Sequence, residues 1–553
     1  MVSATTFAID GGDSDRDRTR KEAAGQEGSR AEPPLVHMES MSSTTSPGAV
    51  EIGPHVDETP DENMAAEPAR TMYASYWSSL RFWPFPRLPE YTGPYAVGCH
   101  DIEWFGGSGR TRRDEAINGT ATTHPEDIEI EREAEKHPVL VRIYYPAAPT
   151  GEETQPAWLP APSHVYGQGY GDFIRLPRFL SAPIMAATLS FTKLPAYLDA
   201  PVATQMPSAG TQAAGDGLRF PAIMFSHGLG GCRTTYSSIC GELASHGFVV
   251  CAVEHRDGSA VVTSVEKGRH TMPYRRPEDS EDEYQLRRGQ IHYRLGEIHC
   301  ARELLERINA GDAVDNCLED RDEEETPGVQ GLRFAQQQLR GRLDLDRAVM
   351  AGHSFGAATA IEALHETDAP YRCGIALDTW MFPIAKRNDD DNVNAVTKPT
   401  PAPILAINSH RFTRWPQNYV PQRENMARWH QQQQEQCGKD ANSYLLTVRH
   451  TVHHSQSDFP VLFQGIFKLF SVLGGRCDPT LALRLNTRAC LEFLRRTLPP
   501  AAADAGVDAL CLQADTAVMS EDASVRPVAL LMHRLDGPPD AEEREFVAPT
   551  PST

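Results

Sequence analysis

The sequence predicts an α/β fold, and two observations carry that prediction. Short apolar runs of strand composition alternate with amphipathic helical patterns along most of the chain, the mark of βαβ units and a parallel sheet. Several of those runs are apolar throughout, as strands covered on both faces must be.

In chain order, "SYWSSLRFWPFPRLPEYTGPYAVG" (75–98) is rich in aromatics and prolines and reads as an extended segment laid on the core. "HPVLVRIYYP" (137–146) alternates with β-branched residues and reads as a strand. "FPAIMFSHG" (220–228) and "FVVCAVEH" (248–255) read as buried strands, with the helical "TTYSSICGELASHG" (234–247) between them. A long amphipathic helix follows at 282–310. "LDRAVMAGHS" (345–354), "YRCGIALDTW" (371–380), "PAPILAINSH" (401–410) and "NSYLLTVRHT" (442–451) read as four more strands, and helices are predicted at 357–366 and 425–436. The expected catalytic domain spans 73–499. Residues 1–72, poor in large apolar side chains, read as a disordered acidic extension. Residues 313–328 read as an acidic surface insertion, and 500–553 as a poorly ordered tail in which "RPVALLMHRL" (526–535) is an isolated helix or strand.

The chain has 553 residues and a formal net charge of -22. That acidity argues against a nucleic-acid partner, which needs Lys and Arg clusters. The 11 cysteines include no CxxC pair, which suits reduced, buried thiols. The opening residues lack a basic-then-apolar pattern, so the expected location is cytoplasmic. No uninterrupted apolar run is long enough to span a membrane. The nearest, 179–198, is broken by Pro183, Lys193 and Pro195.

"MAGHSFGAATA" (350–360) contains Gly352-His353-Ser354-Phe355-Gly356 between a predicted strand and a predicted helix. On a tight strand-to-helix turn, residues two away from the serine come too close to the chain for a Cβ. Ser354 is therefore the candidate nucleophile. A serine needs a base, and the base an orienting acid, in the order Ser, acid, His for α/β-hydrolases. Asp378 directly follows the strand "CGIAL", whereas Asp368 and Asp389–Asp391 read as solvated loop charges. Among His450, His453 and His454, which follow the last strand, His453 fits best: His450 is still at the strand end, and His454 points away from its neighbour. The oxyanion donors are expected to be the N–H groups of Phe355 and of Leu229 in the loop "SHGLGG". The fold expectation sharpens to an α/β-hydrolase: a mostly parallel sheet with helices on both faces and an apolar lid. That lid or interfacial segment is placed at 170–198, with Phe173, Leu176, Ile184, Met185, Leu189 and Phe191 facing substrate or interface.

Together, "FSHGLGGCRTTYSSICGELASHGFVVCAVEHRDGSA" (225–260), "GHSFGAATAI" (352–361), "LDTWMFP" (377–383) and "VHHSQSDF" (452–459) resemble the platelet-activating factor acetylhydrolases of the plasma and type II cytosolic kind. "GPYAVGCHDIEW" (93–104) and "VRIYYPA" (141–147) fit as well, so the resemblance covers roughly residues 90 to 495. It implies a calcium-independent serine hydrolase that removes short or oxidised sn-2 acyl groups from phospholipids, with no cofactor or metal. It implies Asp378 as the acid, His453 as the base and a phospholipid substrate; the peripheral membrane contact is an expectation from the composition of 170–198. The acidic insertion and the N-terminal extension depart from the family pattern. Three rival readings are a carboxylesterase or lipase of other range, a non-catalytic hydrolase-fold scaffold, and a metal site built from His450, His453, His454, His292 and His299.

Overall fold

The computed structural model of the protein describes residues 87–105, 139–177, 189, 191–206, 218–312, 314, 316–318, 338–366, 368–385, 402–437, 443–463, 477–499, 507–508, 530–533, 535 and 544. The extension 1–72, most of the acidic insertion, and Ile184 and Met185 of the lid lie outside the described residues.

Among the described residues, β1 (Ala96–Trp104), β2 (Val139–Ala147), β3 (Tyr197–Leu198), β4 (Leu218–Ser226), β5 (Val249–Glu254), β8 (Leu343–His353), β9 (Cys373–Leu377), β10 (Ile404–Ser409), β11 (Tyr444–Val448) and β13 (Leu530–His533) form one sheet in the order β13-β11-β10-β9-β8-β4-β5-β2-β1-β3. β12 (Val507–Asp508) pairs with β4 off that path, and β6 (Val262–Val265) pairs with β7 (His270–Pro273) in a separate ribbon. Neighbours from β5 through β11 run parallel, while β2 is antiparallel to both β1 and β5. β5 and β9 are buried along their whole length and β4 at all but Arg219, which is why they read as continuous apolar runs. The helices are α1 (Ser163–Phe173), α2 (Ser237–Ser245), α3 (Glu283–Ala310), α4 (Phe355–Leu364), α5 (Pro416–Cys437) and α6 (Pro479–Thr497). Two apolar clusters, one on each face of the sheet, form the core. One joins α3, α4 and α5 to the sheet, and the other joins α2 and α6 to it.

The strand order reverses between β4 and β8. The chain runs outward from β4 to β5, then crosses back to β8 on β4's other side. Ligands of open α/β sheets bind in the crevice beyond the strand C-termini at such a point. The register aligns those ends: Ser226 lies beside Gly352, His353 beside Leu377, Leu377 beside Ile407, and Ser409 beside Val448. The residues that follow five different strands therefore meet at one edge.

Two sequence expectations need correction. The segment 526–535 is not isolated: Leu530–His533 extends the sheet antiparallel to β11, with Leu530 buried and the His533 ring hydrogen-bonded to the buried Thr447 hydroxyl at 2.7 Å. Its apolar run is short because it covers only one edge. The acidic insertion is also not wholly a solvated loop. Asn316 is buried at the end of β1, accepting from the Glu103 N–H at 3.0 Å and donating to the Asp101 carbonyl at 3.0 Å.

Tyr95 is buried and Thr92 N–H is bonded to Glu242, so the described part of the N-terminal aromatic segment lies on the core as its composition suggests. Cys99, Cys232, Cys240, Cys251, Cys373 and Cys490 are buried free thiols, and burial pushes the Cys99 thiol up to about 12. Among the described residues no helix is long and apolar enough to cross a membrane.

Truncation after Pro499 should lower the urea midpoint of unfolding, because it strips β13 from β11 and leaves the buried Thr447 hydroxyl unpaired. An unfolding midpoint unchanged from the full chain would mean that β13 contributes nothing to stability.

Candidate active site

The site grows from backbone geometry. β8 ends at His353, and α4 begins at Phe355, so one residue must turn the chain from strand to helix. Ser354 does this at φ 57 and ψ -116, a conformation that a non-glycine residue reaches only under strain. The turn closes because Gly352 and Gly356 lack side chains. A Cβ on Gly352 would stand 2.2 Å from the Gly356 carbonyl oxygen, and one on Gly356 would stand 2.0 Å from the Ser226 carbonyl oxygen. The Ser354 N–H donates to Leu377 O at 2.8 Å, and its carbonyl accepts from Trp380 N–H at 3.1 Å.

The three sequence-chosen residues converge on this turn. His453 Nε2 is 3.0 Å from Ser354 Oγ, and His453 Nδ1 is 3.0 Å from Asp378 Oδ2. Asp378 is fully buried one residue beyond β9, and Ser354 is nearly so, while the His453 side chain keeps 21% of its surface exposed. A fully buried carboxylate requires donors. Asp378 has the Ser409 N–H on Oδ1 at 2.6 Å and the Ser409 hydroxyl on Oδ2 at 2.6 Å. The histidine opens a short 3-10 turn (His453–Gln456), and its ring is sandwiched between Phe412, 4.7 Å away at 11°, and His353, 4.5 Å away at 32°. Next to this turn, Asp458 anchors the loop to the N-terminus of α2, accepting from the N–H groups of Ser237 and Ser238 at 3.0 Å each and from Trp158 Nε1 at 2.9 Å.

The loop after β4 lies against the nucleophile: a Cβ on Gly228 would be 3.1 Å from Ser354 Cβ. Three of its amides are engaged. Gly228 N–H donates to Tyr236 Oη, Gly230 N–H to Ser259 O, and Gly231 N–H to Gly228 O. Among the described residues, the Leu229 and Phe355 amides donate to no protein acceptor. Phe355 heads α4, where the first N–H groups have no intrahelical partner and the helix dipole favours negative charge. Two unspent amide donors on either side of the serine hydroxyl can receive an oxyanion.

Sequence reasoning missed the supports. Arg294 of α3 is fully buried, donates from Nη1 to His227 O at 2.7 Å, and holds its guanidinium 4.4 Å above the Phe355 ring. Asp257 Oδ2 accepts from its Nε at 2.9 Å, which neutralises the charge. One cation thus braces both oxyanion-donor segments. Ser409, Phe412 and Arg294 gave no signal because they act through sheet order and helix packing, which the linear pattern does not contain.

The lid residues separate. Phe173 closes over the oxyanion loop, its ring 2.4 Å from where a Cβ on Gly230 would lie, and edge-on to Tyr274. Leu176 and Phe191 are exposed, as is Ile174 two residues before Leu176. Leu189 is fully buried within the core, so it faces neither substrate nor solvent. The residues of the metal alternative scatter: the His450 ring lies beside His410, and His299 Nε2 meets Glu366 at the surface at 2.8 Å. The close cluster of potential ligand atoms among the described residues is His353, Asp378 and His453, which is the site itself.

A parallel sheet reversing at β4 and β8, with a serine on a strained elbow in contact with a histidine–aspartate pair, defines the α/β-hydrolase class. The family described as "Platelet-activating factor acetylhydrolase, isoform II" matches residues 83–510, and the chain belongs to it. The platelet-activating factor acetylhydrolase of Bos taurus is 31% identical over 420 residues, covering 74% of this chain and 77% of that one. That of Canis lupus familiaris is 31% identical over 426 residues with the same coverage, 74% and 77%. A putative phospholipase A2 of Schizosaccharomyces pombe is 28% identical over 458 residues, 75% of this chain and 93% of that one.

Ser409→Ala should lower kcat about tenfold or more with KM within about threefold, the scale of hydrogen bonds to a buried charge. Steady-state kinetics on an acetyl ester check this, and an unchanged kcat would show that Asp378 needs no second anchor.

Proposed function

We propose that the protein removes a short or oxidised sn-2 acyl group from a phospholipid by a Ser-His-Asp acyl-enzyme mechanism, acting as a 1-alkyl-2-acetylglycerophosphocholine esterase. The observation that carries the reaction type is the contact chain from Ser354 Oγ to His453 Nε2 at 3.0 Å and from His453 Nδ1 to Asp378 Oδ2 at 3.0 Å. The substrate class is supported by the family and by the names of its relatives.

In this reading Ser354 Oγ attacks the sn-2 carbonyl while His453 Nε2 takes its proton. Asp378 holds the ring with Nδ1–H toward itself and favours the imidazolium that forms. The Leu229 and Phe355 amides receive the oxyanion. The tetrahedral intermediate collapses as His453 returns the proton to the departing lysophospholipid oxygen. Water then attacks the acyl carbon while losing a proton to His453, and as the bond to Ser354 Oγ breaks His453 returns that proton to Oγ, releasing the carboxylic acid and the free enzyme. All the groups this sequence uses are side chains and amides of the chain. Phe173, over Gly230, borders the oxyanion loop where an acyl chain would pass. The exposed Ile174, Leu176 and Phe191 supply apolar surface for shallow contact with a lipid surface.

Ser354→Ala should abolish acyl hydrolysis with an unchanged Tm, since among the described residues the hydroxyl's hydrogen bond is the one to His453. Fluorophosphonate labelling with peptide mapping should place the adduct on Ser354; attachment elsewhere would refute the assignment.

Activity should persist in excess chelator, and should be greater on sn-2 acetyl than on sn-2 palmitoyl phosphatidylcholine. Loss of activity that added calcium restores would contradict the metal-free mechanism. Preference for the long chain would reassign the substrate.

A further inference from the structure

Residue 353, between the glycine and the serine of the elbow, is buried, and its ring has a polar partner at each nitrogen. Nδ1 is 2.8 Å from Tyr236 Oη, and Nε2 is 3.2 Å from the backbone carbonyl of His453. Tyr236 Oη also accepts the Gly228 N–H at 3.1 Å. In a neutral ring these contacts allow one arrangement of protons. A carbonyl can only accept, so His353 carries its hydrogen on Nε2. Nδ1 is then an acceptor, and the Tyr236 hydroxyl must donate to it. That leaves the hydroxyl's lone pairs for Gly228. The chain runs in one direction: Gly228 N–H to Tyr236, Tyr236 O–H to His353, and His353 Nε2–H to His453 O.

The two ends of this chain are the halves of the catalytic apparatus. Gly228 precedes Leu229 in the oxyanion loop after β4, and His453 is the base in the loop after β11. No strand pairing joins these loops, because β8, β9 and β10 lie between their strands. The same imidazole stacks on the His453 ring with centroids 4.5 Å apart. We propose that His353, acting with Tyr236, is a positioning residue that locks the height and tilt of the His453 ring relative to the oxyanion loop, and that it must remain a neutral Nε2–H imidazole to do so. This rests on the reading of Ser354, His453 and Asp378 as the catalytic residues.

Neutrality follows from the surroundings. His353 faces Tyr236, His453 and His454, and its ring nitrogen lies within 4.8 Å of an Asp378 oxygen that is already committed to Ser409 and His453. Burial, then the adjacent His453 and His454, holds its pKa well below the ordinary imidazole range. A charged ring here would stack against the imidazolium that His453 becomes during the reaction.

The test uses the full chain with Tyr236→Phe, His353→Leu, His353→Gln and Ser354→Ala. In His353→Leu, kcat on p-nitrophenyl acetate should fall about 10- to 100-fold with KM within about threefold, the scale of a misplaced catalytic group. His353→Gln, whose amide can still donate to the His453 carbonyl, should recover most of that loss, and Tyr236→Phe should fall between the two. In 15N-histidine-labelled wild type, with the His353 signal identified by its absence from His353→Gln, the ring should be the Nε2–H tautomer and stay neutral from about pH 5.5 to about pH 8, the window in which an ordinary histidine titrates. A wild-type kcat in His353→Leu, equal losses in the Leu and Gln variants, or a ring that is Nδ1–H or titrates in that window would each overturn the proposal. If His353→Leu does not fold, the Gln and Phe variants and the tautomer decide it. Activity in Ser354→Ala would refute the catalytic reading instead, leaving the tautomer result to stand by itself.

Discussion

The structure depends on one strained residue. Ser354 sits in a backbone conformation that costs on the order of 1–3 kcal/mol for a non-glycine residue. It persists because its surroundings leave no alternative. The Gly352 and Gly356 backbones are in contact, the Ser226 carbonyl fills the space beside Gly356, and the serine's own N–H and C=O are fixed by Leu377 and Trp380. The strain raises the hydroxyl above the sheet edge and starts α4 immediately behind it. The positions of the Ser354 hydroxyl and the Phe355 amide are thus set by the same turn.

Around that turn the protein buries polar groups, whose burial is costly unless they are hydrogen-bonded. Under the oxyanion loop, Arg294, Asp257, Ser259 and His227 form one side of a network. His255 bridges Ser226 and Glu297 at 2.8 Å and 2.6 Å on the other. Such a network gives rigidity more than stability, since the desolvation of its charges offsets most of their attraction. Rigidity is what an oxyanion site needs, because its donors must point at the developing charge before the charge exists. The cation over Phe355 contributes in the same way, fixing a ring whose backbone amide is one of the donors.

The convergence of Ser354, Asp378 and His453 was legible because each carries a local mark. Ser354 has flanking glycines, Asp378 ends an apolar run, and His453 follows the last strand of the series. The lid was legible only as composition. Its residues divide into Phe173 against the oxyanion loop, Leu189 in the core, and Leu176 and Phe191 at the surface, because burial there is decided by packing and not by hydropathy. The tail was misjudged since Leu530–His533 is too short a run to declare itself, and only the edge of β11 gives it a partner.

By itself the sequence determined the alternation of strands and helices, the order of the three residues that meet at the elbow, and where the elbow must bend, because periodicity and the steric demands of glycine are written locally. The tertiary structure alone decided strand order, and with it that Ser409 lies beside Asp378, that Arg294 reaches under the oxyanion loop, and that His353 links Tyr236 to the base loop. Those contacts join residues 31, 67 and 100 positions apart. No local pattern encodes which distant partner a side chain meets; the packing of helices on a twisted, reordered sheet does.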